Sequence, residues 1–291
     1  RRQRQMCIRD SFREIPEKIK QILYKQNILN LYPTQALSIS PLFKGKNLVV
    51  SFPTASGKSL VGYLAILNHV FKEKGKAIYV VPTRALATEK REELEQLIPA
   101  SYSVIERSGD YHSGGSIKDC DVLVATSEKL DSLLYKGIIN YEDISVVVAD
   151  EVHLVGEPKR GPTLEMLLTK LKTANPSCQI IALSATIPNG KEIADWLDAA
   201  YLESNWRPTE LRKYLYWNGT LISQDDKEEQ IPEHIPLSKL KYDEKLALGD
   251  GLLDLVIHSL RDDGQVLIFR SSKRNAESLA RKLAPHIKPY L

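Results

Sequence analysis

The sequence contains few cysteines and no long apolar run, and each of these features excludes a class of protein. Only three of the 291 residues are cysteine, which is too few for a disulfide scaffold, and their spacing does not fit a zinc site. No apolar stretch approaches the ~18 residues that a membrane span requires. We therefore expect no membrane association, and reduced cysteines in the cytoplasm, or in the nucleus if the source is eukaryotic.

Repeats and low-complexity tracts are also lacking, so repeat architectures and disordered chains are not expected. Hydrophobic residues make up 43% of the chain and charged residues 26%, which is ordinary for a globular protein. The length suits two domains or one large domain.

The first residues, RRQRQMCIRD, are unusual for the start of a domain. Their back-translation fits CGT CGG CAG CGT CAG ATG TGT ATA AGA GAC, which resembles a transposon-based sequencing adapter. We expect residues 1–11 to be a non-native, adapter-derived segment outside the fold; a native basic tail is the alternative. This segment contains four arginines and one aspartate, so the formal net charge of the remaining residues is zero rather than +3. The weak basicity is therefore no evidence for a nucleic-acid partner.

Short runs rich in Val, Ile and Leu alternate with helical stretches along most of the chain. The predicted strands are residues 47–52, 77–81, 121–125, 144–149 and 179–183. Runs without polar alternation are typical of strands buried on both faces of a parallel sheet. The pattern predicts a doubly wound α/β domain over residues 12–223.

The composition changes after this domain. Acidic residues and prolines interrupt the periodicity over residues 224–245, which predicts a linker. Residues 246–260 and 272–283 have helical patterns, and residues 265–269 have the pattern of a strand between them. Residues 246–291 are therefore expected to be the start of a second α/β domain.

The strongest chemical signal is PTASGKS, residues 53–59, between a predicted strand and a predicted helix. Small residues let backbone N–H groups approach phosphate oxygens, and the helix N-terminus attracts anions. Lys58 would reach the terminal phosphates, and Ser59 would hold Mg²⁺. Phe52 departs from the strict motif, and a helix start without a ligand is the alternative. The predicted ATP-binding residues of this loop are Thr54, Ala55, Ser56, Gly57, Lys58 and Ser59.

A second signal is the acidic pair Asp150 and Glu151, directly after the predicted strand 144–149. Ligands bind at the carboxyl ends of parallel strands. Asp150 would hold Mg²⁺, and Glu151 would orient or deprotonate the attacking water. A solvated turn is the alternative. We expect Lys58 and Asp150 to share a pocket, and the strands that precede them to be neighbours in the sheet.

Taken in order, the phosphate loop, the Asp150–His153 box and the Ser184–Thr186 segment resemble superfamily-two helicases. Residues 150–153, 160–165 and 206–208 together resemble the superkiller-type DEVH-box helicases. Within these, the chain looks closest to the archaeal DNA-repair branch, which is related to the helicase part of DNA polymerase theta. The resemblance covers residues 13–291 and implies RecA-like domains, ATP and Mg²⁺ as cofactors, and nucleic acid as the partner.

The resemblance also implies roles for single residues. Gln35, in Tyr32-Pro33-Thr34-Gln35, would contact adenine; Tyr32 would either stack on the base or pack against the protein. Catalytic roles fall to Lys58, Asp150 and Glu151. Backbone phosphates of the nucleic acid would be contacted by Thr83, Arg84 and Thr126. Coupling of the nucleotide site to domain motion would involve His153, Ser184 and Thr186. The plainer alternatives are a surface arginine at position 84 and a core histidine at position 153.

The function implied is part of an ATP-dependent helicase that moves 3′ to 5′ on DNA in repair or replication restart. In such helicases a later arginine of the second domain contacts the γ-phosphate. We expect that arginine to lie beyond this chain, so the chain is expected to bind ATP but hydrolyse it poorly. The alternatives are an RNA helicase of the superkiller branch, and a nucleotide-responsive nucleic-acid-binding module without turnover.

Overall fold

A computed structural model describes residues 12–72, 75–109, 111–112, 116–217, 220–225, 227–230, 251–261 and 263–290. Contacts divide the chain into two compact units, with the division between Pro208 and Thr209. The predicted adapter segment 1–11 lies outside the described residues, as does most of the predicted linker 224–245. Among the described residues, no helix combines the length and apolarity needed to cross a bilayer.

An eight-stranded sheet forms the centre of the first unit, in the order β4-β3-β5-β2-β6-β7-β1-β8. Its strands are β1 (Leu48–Ser51), β2 (Lys76–Val81), β3 (Val104–Ser108), β4 (Tyr111–His112), β5 (Val122–Thr126), β6 (Ile144–Ala149), β7 (Gln179–Ser184) and β8 (Ala200–Glu203). Only β4 is antiparallel to its neighbour; the other pairs are parallel. The doubly wound α/β prediction is therefore confirmed.

Helices cover both faces of this sheet. They are α1 (Glu17–Lys25), α2 (Pro33–Phe43), α3 (Lys58–Val70), α4 (Arg84–Leu97), α5 (Ser127–Tyr135), α6 (Gly161–Ala174) and α7 (Gly190–Trp196). Successive strand residues enter opposite apolar layers: Leu48 and Val50 pack with α1–α4, and Val49 packs with α5–α7. Burial on both faces explains why the strands are continuous apolar runs.

The strands before the phosphate loop and before the acidic pair are not neighbours, so this expectation was wrong. Strand β7 lies between β1 and β6. The two segments still meet, because α3 passes from β1 across the sheet. A Cβ atom added to Gly62 of α3 would lie 2.7 Å from Val148 of β6 and 3.3 Å from Leu183 of β7. The glycine lets the helix lie close to both strands.

The second unit contains a three-stranded antiparallel sheet of β9 (Tyr214–Trp217), β10 (Thr220–Ser223) and β11 (Glu228–Gln230), together with helices α8 (Leu252–Arg261) and α9 (Lys273–Ile287). The hairpin β9–β10 belongs to this unit, although we predicted the first domain to extend to residue 223. Strand β11 lies within the predicted linker.

The predicted strand 265–269 was wrong. These residues form no strand within the described part of the chain, and Leu267 and Phe269 are exposed. A strand exists only when its backbone pairs with another strand. The start of a second α/β domain over residues 246–291 stays a prediction.

Candidate functional site

The phosphate loop turns sharply between β1 and α3. Ala55 and Gly57 both have left-handed backbone angles, with φ of +65° and +76°, and α3 begins at Lys58. The hydroxyl of Ser56 is buried, and no described residue is its hydrogen-bond partner. Thr54 and Ala55 are exposed, whereas Ser59 is partly buried in the first turn of α3. The loop therefore surrounds the N-terminus of a long helix with backbone N–H groups, the arrangement that binds phosphate.

The start of α2 holds this loop in place. Thr34 Oγ1 donates to the carbonyl oxygen of Ser56 at 3.0 Å, and Gln35 Nε2 donates to that of Gly57 at 3.0 Å. Gln35 Oε1 accepts from the backbone N–H of Tyr32 at 2.7 Å. The amide predicted to contact adenine is thus bonded to the loop. Its second N–H and its second lone pair are still available to a base.

Asp150 is buried immediately after β6. Its Oδ1 accepts from the backbone N–H of Glu151 at 3.0 Å, and its Oδ2 accepts from the phenol of Tyr79 at 3.0 Å. Burial raises the pKa of the Asp150 carboxyl above its ordinary value, and the nearby charge of Glu151 adds to this; the Tyr79 hydrogen bond and Lys58 oppose it. A buried carboxylate of this kind is a suitable partner for a cation.

Glu151 joins the phosphate loop to the end of β7. Lys58 Nζ lies 3.5 Å from Glu151 Oε1, and His153 Nδ1 lies 3.4 Å from Glu151 Oε2. His153 Nδ1 is also 3.4 Å from Ser184 Oγ. The predicted catalytic residues and two of the three predicted coupling residues therefore form one connected group. Glu151 itself has a left-handed backbone, with φ of +52°.

Thr186, the third predicted coupling residue, is exposed and stands outside this group of contacts. Ser51, at the end of β1, fixes the turn that carries it. Ser51 Oγ donates to the carbonyl oxygen of Ala185 at 3.3 Å and accepts from the N–H of Ile187 at 3.4 Å. Sequence reasoning missed Ser51, which lay within a predicted strand.

Tyr79 was also missed. It lies on β2 with no exposed surface, and its phenol contacts Asp150. Burial raises the pKa of the Tyr79 phenol well above its ordinary value, and Asp150 raises it further. The phenol therefore keeps its proton and acts as a hydrogen-bond donor to the carboxylate.

A cavity of about 670 Å³ opens beside the phosphate loop. Its lining comes from the α1–α2 connection, α2, α3 and α4: Gln26, Asn27, Ile28, Leu29, Asn30, Tyr32, Gln35, Leu60, Tyr63, Glu93, Gln96 and Leu97. Tyr32 is 44% exposed, and its ring packs against that of Trp206 with centroids 5.0 Å apart. The volume and the mixed lining suit a heterocyclic base.

The residues present fit a nucleotide with Mg²⁺. The buried hydroxyl of Ser56 lacks a partner, and phosphate oxygens would supply one. Ser59 and Asp150 offer the oxygen ligands that Mg²⁺ prefers. Within the described part of the chain, no group of three His, Cys, Asp or Glu residues could hold a metal alone. A site with one carboxylate, completed by substrate phosphates and water, is typical for Mg²⁺.

A second cavity, of about 560 Å³, lies at the ends of β2 and β5. It contains all three residues predicted to contact nucleic acid, and its lining is Pro82, Thr83, Arg84, Gly109, Thr126, Glu128, Lys129 and Arg160. We call this cavity the basic groove, because three cations and one carboxylate line it.

Two helix N-termini face the basic groove. Thr83 caps α4 by accepting from the N–H of Leu86 at 3.3 Å, and Thr126 caps α5 by accepting from that of Lys129 at 3.4 Å. Each hydroxyl keeps its own hydrogen for donation. The partial positive charge of a helix N-terminus, about half a unit, adds to the attraction for anions.

Arg160 and Lys129 complete the groove. Arg160 Nη1 donates to the carbonyl oxygen of Pro82 at 3.2 Å, and Lys129 Nζ donates to that of Gly109 at 3.0 Å. Arg84 packs against Gly109: a Cβ atom added to this glycine would lie 2.2 Å from the guanidinium carbon of Arg84. In the sequence Arg160 is only part of a family pattern, and its position in the groove was not predicted.

This geometry defines an α/β protein of the RecA-like class, with a phosphate loop after the first strand and an acidic pair after the sixth. A sequence profile described as "DEAD/DEAH box helicase" matches residues 32–195. The chain belongs to the DEAD/DEAH box helicase family. The predicted family is therefore confirmed.

Similar proteins agree with this assignment. The chain is 40% identical over 279 residues to "ATP-dependent DNA helicase Hel308" of Thermococcus kodakarensis, covering 95% of this chain and 23% of that protein. It is 40% identical over 277 residues to the protein of the same name from Methanocella arvoryzae, covering 93% of this chain and 35% of that protein. The chain thus spans between about a quarter and about a third of the length of these relatives.

Solved structures share the fold. The helicase MrfA bound to DNA superposes with a TM-score of 0.68 at 20% identity, covering 96% of this chain and 39% of that one. Dbp5 of S. cerevisiae, bound to RNA and ADP with beryllium fluoride, superposes with a TM-score of 0.70 at 18% identity, covering 94% and 65%. At these identities the likeness supports the RecA-like fold alone.

Proposed function

We propose that this chain is the ATP-binding core of a helicase that moves along a DNA strand. The observation that carries the proposal is the placement of two sites at one edge of the sheet. Strands β5, β2 and β6 are neighbours. The basic groove lies at the ends of β5 and β2, and the Asp150–Glu151 pair lies at the end of β6. The printed name of the relatives, ATP-dependent DNA helicase, supports the same function.

In this proposal each residue of the nucleotide site has its own task. Backbone N–H groups of residues 54–59 and the ammonium of Lys58 bind the phosphates, while Tyr32 and Gln35 border the cavity for the base. Ser59 and Asp150 would hold Mg²⁺, which would compensate phosphate charge. Glu151 orients the attacking water and accepts its proton. His153, between Glu151 and Ser184, joins this carboxylate to the end of β7.

The basic groove binds the phosphates of a single strand. Hydroxyl groups of Thr83 and Thr126 donate to phosphate oxygens, and Arg84 and Arg160 supply charge. Such contacts position the strand without reading its sequence. Strand β2 leads directly from Tyr79, which contacts Asp150, to Thr83 in the groove. Movement of the end of β2 would therefore shift residues of both the nucleotide site and the basic groove.

Fluorescence anisotropy with single-stranded DNA tests this function, and RNA of the same sequence serves as the comparison. We expect salt-dependent DNA binding that Arg84→Ala weakens, with Lys191→Ala, an exposed lysine on α7, as the matched charge control. Tighter binding of the RNA would favour the superkiller-type RNA helicase instead. No binding of either strand, or equal effects of both variants, would contradict the assignment of the groove.

A further inference from the structure

Tyr79 is a polar residue in the middle of an apolar strand. Its ring packs against that of Tyr63 with centroids 5.7 Å apart. Gly62 of α3 leaves the space that the ring fills, since a Cβ atom there would lie 3.2 Å from Tyr79 Cε2. Helix and strand together fix the direction of the side chain, so the phenol oxygen has a defined position at the sheet edge.

The phenol contacts the carboxylate that is proposed to bind Mg²⁺. It donates to Asp150 Oδ2 at 3.0 Å. Asp150 Oδ1 is held separately by the N–H of Glu151. Each oxygen of the Asp150 carboxylate therefore accepts from one donor, and the two hydrogen bonds together fix the orientation of the carboxylate plane.

Packing alone does not require this hydroxyl. A phenylalanine would fill the same space without the cost of burying a polar group. Groups that hydrogen-bond a metal-binding carboxylate orient it, and their loss typically lowers metal affinity by about 10–100-fold. The contacts of the phenol match this role more closely than a role in packing.

We propose that Tyr79 is a positioning residue for the Mg²⁺ site, where its phenol holds the Asp150 carboxylate in the orientation that receives the ion. The inference rests on the proposed ATP-binding function. Tyr79 acts through Asp150 and does not itself bind the nucleotide. Removing its hydroxyl should therefore weaken the contribution of Mg²⁺ to nucleotide binding, and leave Mg²⁺-independent binding unchanged.

The test measures binding of a fluorescent, non-hydrolysable ATP analogue to the whole chain over a range of free Mg²⁺ concentrations. For Tyr79→Phe we expect the Mg²⁺ concentration at half-maximal effect to rise about tenfold, with the affinity measured in EDTA equal to that of the wild type. Tyr216→Phe is the matched control. It removes a phenol–carboxylate bond of 2.6 Å to Asp254 in the second unit and should leave both values unchanged.

A half-maximal Mg²⁺ concentration within twofold of the wild type would overturn the inference. An equal loss of affinity with and without Mg²⁺ would also overturn it, because that is the result of a purely structural role. Asp150→Asn gives a second test: in that background Tyr79→Phe should cause no further change, and a full additional effect would count against action through Asp150. If the wild type binds no analogue at all, the proposed function fails together with the inference.

Discussion

The ammonium of Lys58 lies 3.5 Å from one carboxylate oxygen of Glu151, while the other oxygen faces His153 at 3.4 Å. The lysine belongs to the phosphate loop after β1, and the glutamate follows β6, two strands away. Because these two side chains meet although β7 lies between their strands, the site combines segments that are about 90 residues apart in the sequence. Phosphates entering the loop would compete with Glu151 for the lysine, which would release the carboxylate toward water.

Glu151→Gln should leave the affinity for a Mg²⁺–ATP analogue within about threefold of the wild type, because the carboxylate acts on water rather than on the nucleotide. The amide keeps the size of the side chain and removes one negative charge near the phosphates. Isothermal calorimetry measures the affinity. A loss of about tenfold or more would show that Glu151 takes part in binding and would contradict its assigned role.

Gly57→Ala should lower both stability and nucleotide affinity. The left-handed backbone alone costs roughly 1–2 kcal/mol for a residue with a Cβ atom. That atom would also lie 2.2 Å from Gln35 Nε2 and displace the amide that holds the loop.

Gly137→Ala separates these two effects. Gly137 is also left-handed, with φ of +61°, but nothing lies within 4 Å of an added Cβ atom. The Gly137→Ala variant should therefore lose stability by the cost of the left-handed backbone alone, and its nucleotide affinity should equal that of the wild type. Urea unfolding and calorimetry on both variants check this; equal affinities would argue against the anchoring role of Gln35.

Arg160→Ala should weaken binding of single-stranded DNA and lower the slope of log affinity against log salt by about 0.7, the value for one phosphate contact on a single strand. Anisotropy titrations at several salt concentrations provide the slope. Lys191→Ala, outside the groove, should leave it unchanged. An unaltered slope for Arg160→Ala would mean that its bond to Pro82 is its main role.

Asp150→Asn should stabilise the nucleotide-free protein at neutral pH, although it removes a Mg²⁺ ligand. Burial raises the pKa of Asp150 above its ordinary value of 3.8, so ionisation of this group opposes folding. The advantage of the variant should be absent below the ordinary pKa, grow as the pH rises through the folded-state pKa, and then stay constant. Thermal unfolding between pH 4 and 8 measures it; a variant less stable throughout would contradict the argument.

The elements that could be predicted from the sequence are the buried parallel strands and the phosphate loop, because each has a characteristic local pattern. Continuous apolar runs revealed β1, β2, β5, β6 and β7, and the glycine and lysine of the phosphate loop revealed its place. Strand β3 was missed because Glu106 and Arg107 interrupt its apolar pattern, although both are buried. Asn218-Gly219, a hairpin signal between two short runs, would have placed β9 and β10 together.

Other features depend on tertiary contacts that no local pattern encodes. Tyr79 looks like an ordinary strand residue, and its bond to Asp150 joins positions 71 residues apart. The insertion of β7 between β1 and β6 depends on strand order rather than on the composition of either strand. Residues 265–269 show the reverse error: their pattern is that of a strand, but they pair with no strand among the described residues.

The central claim is that Lys58 and the loop around it bind the phosphates of Mg²⁺–ATP. Calorimetric titration of the wild type and Lys58→Ala with a non-hydrolysable ATP analogue, with Mg²⁺ and with EDTA, tests it most directly. We predict one site per chain in the wild type, tighter with Mg²⁺, and an affinity about tenfold or more lower in Lys58→Ala, because a charged hydrogen bond is worth about 1.5–3 kcal/mol. Equal affinities for the two proteins, at unchanged thermal stability, would contradict the claim.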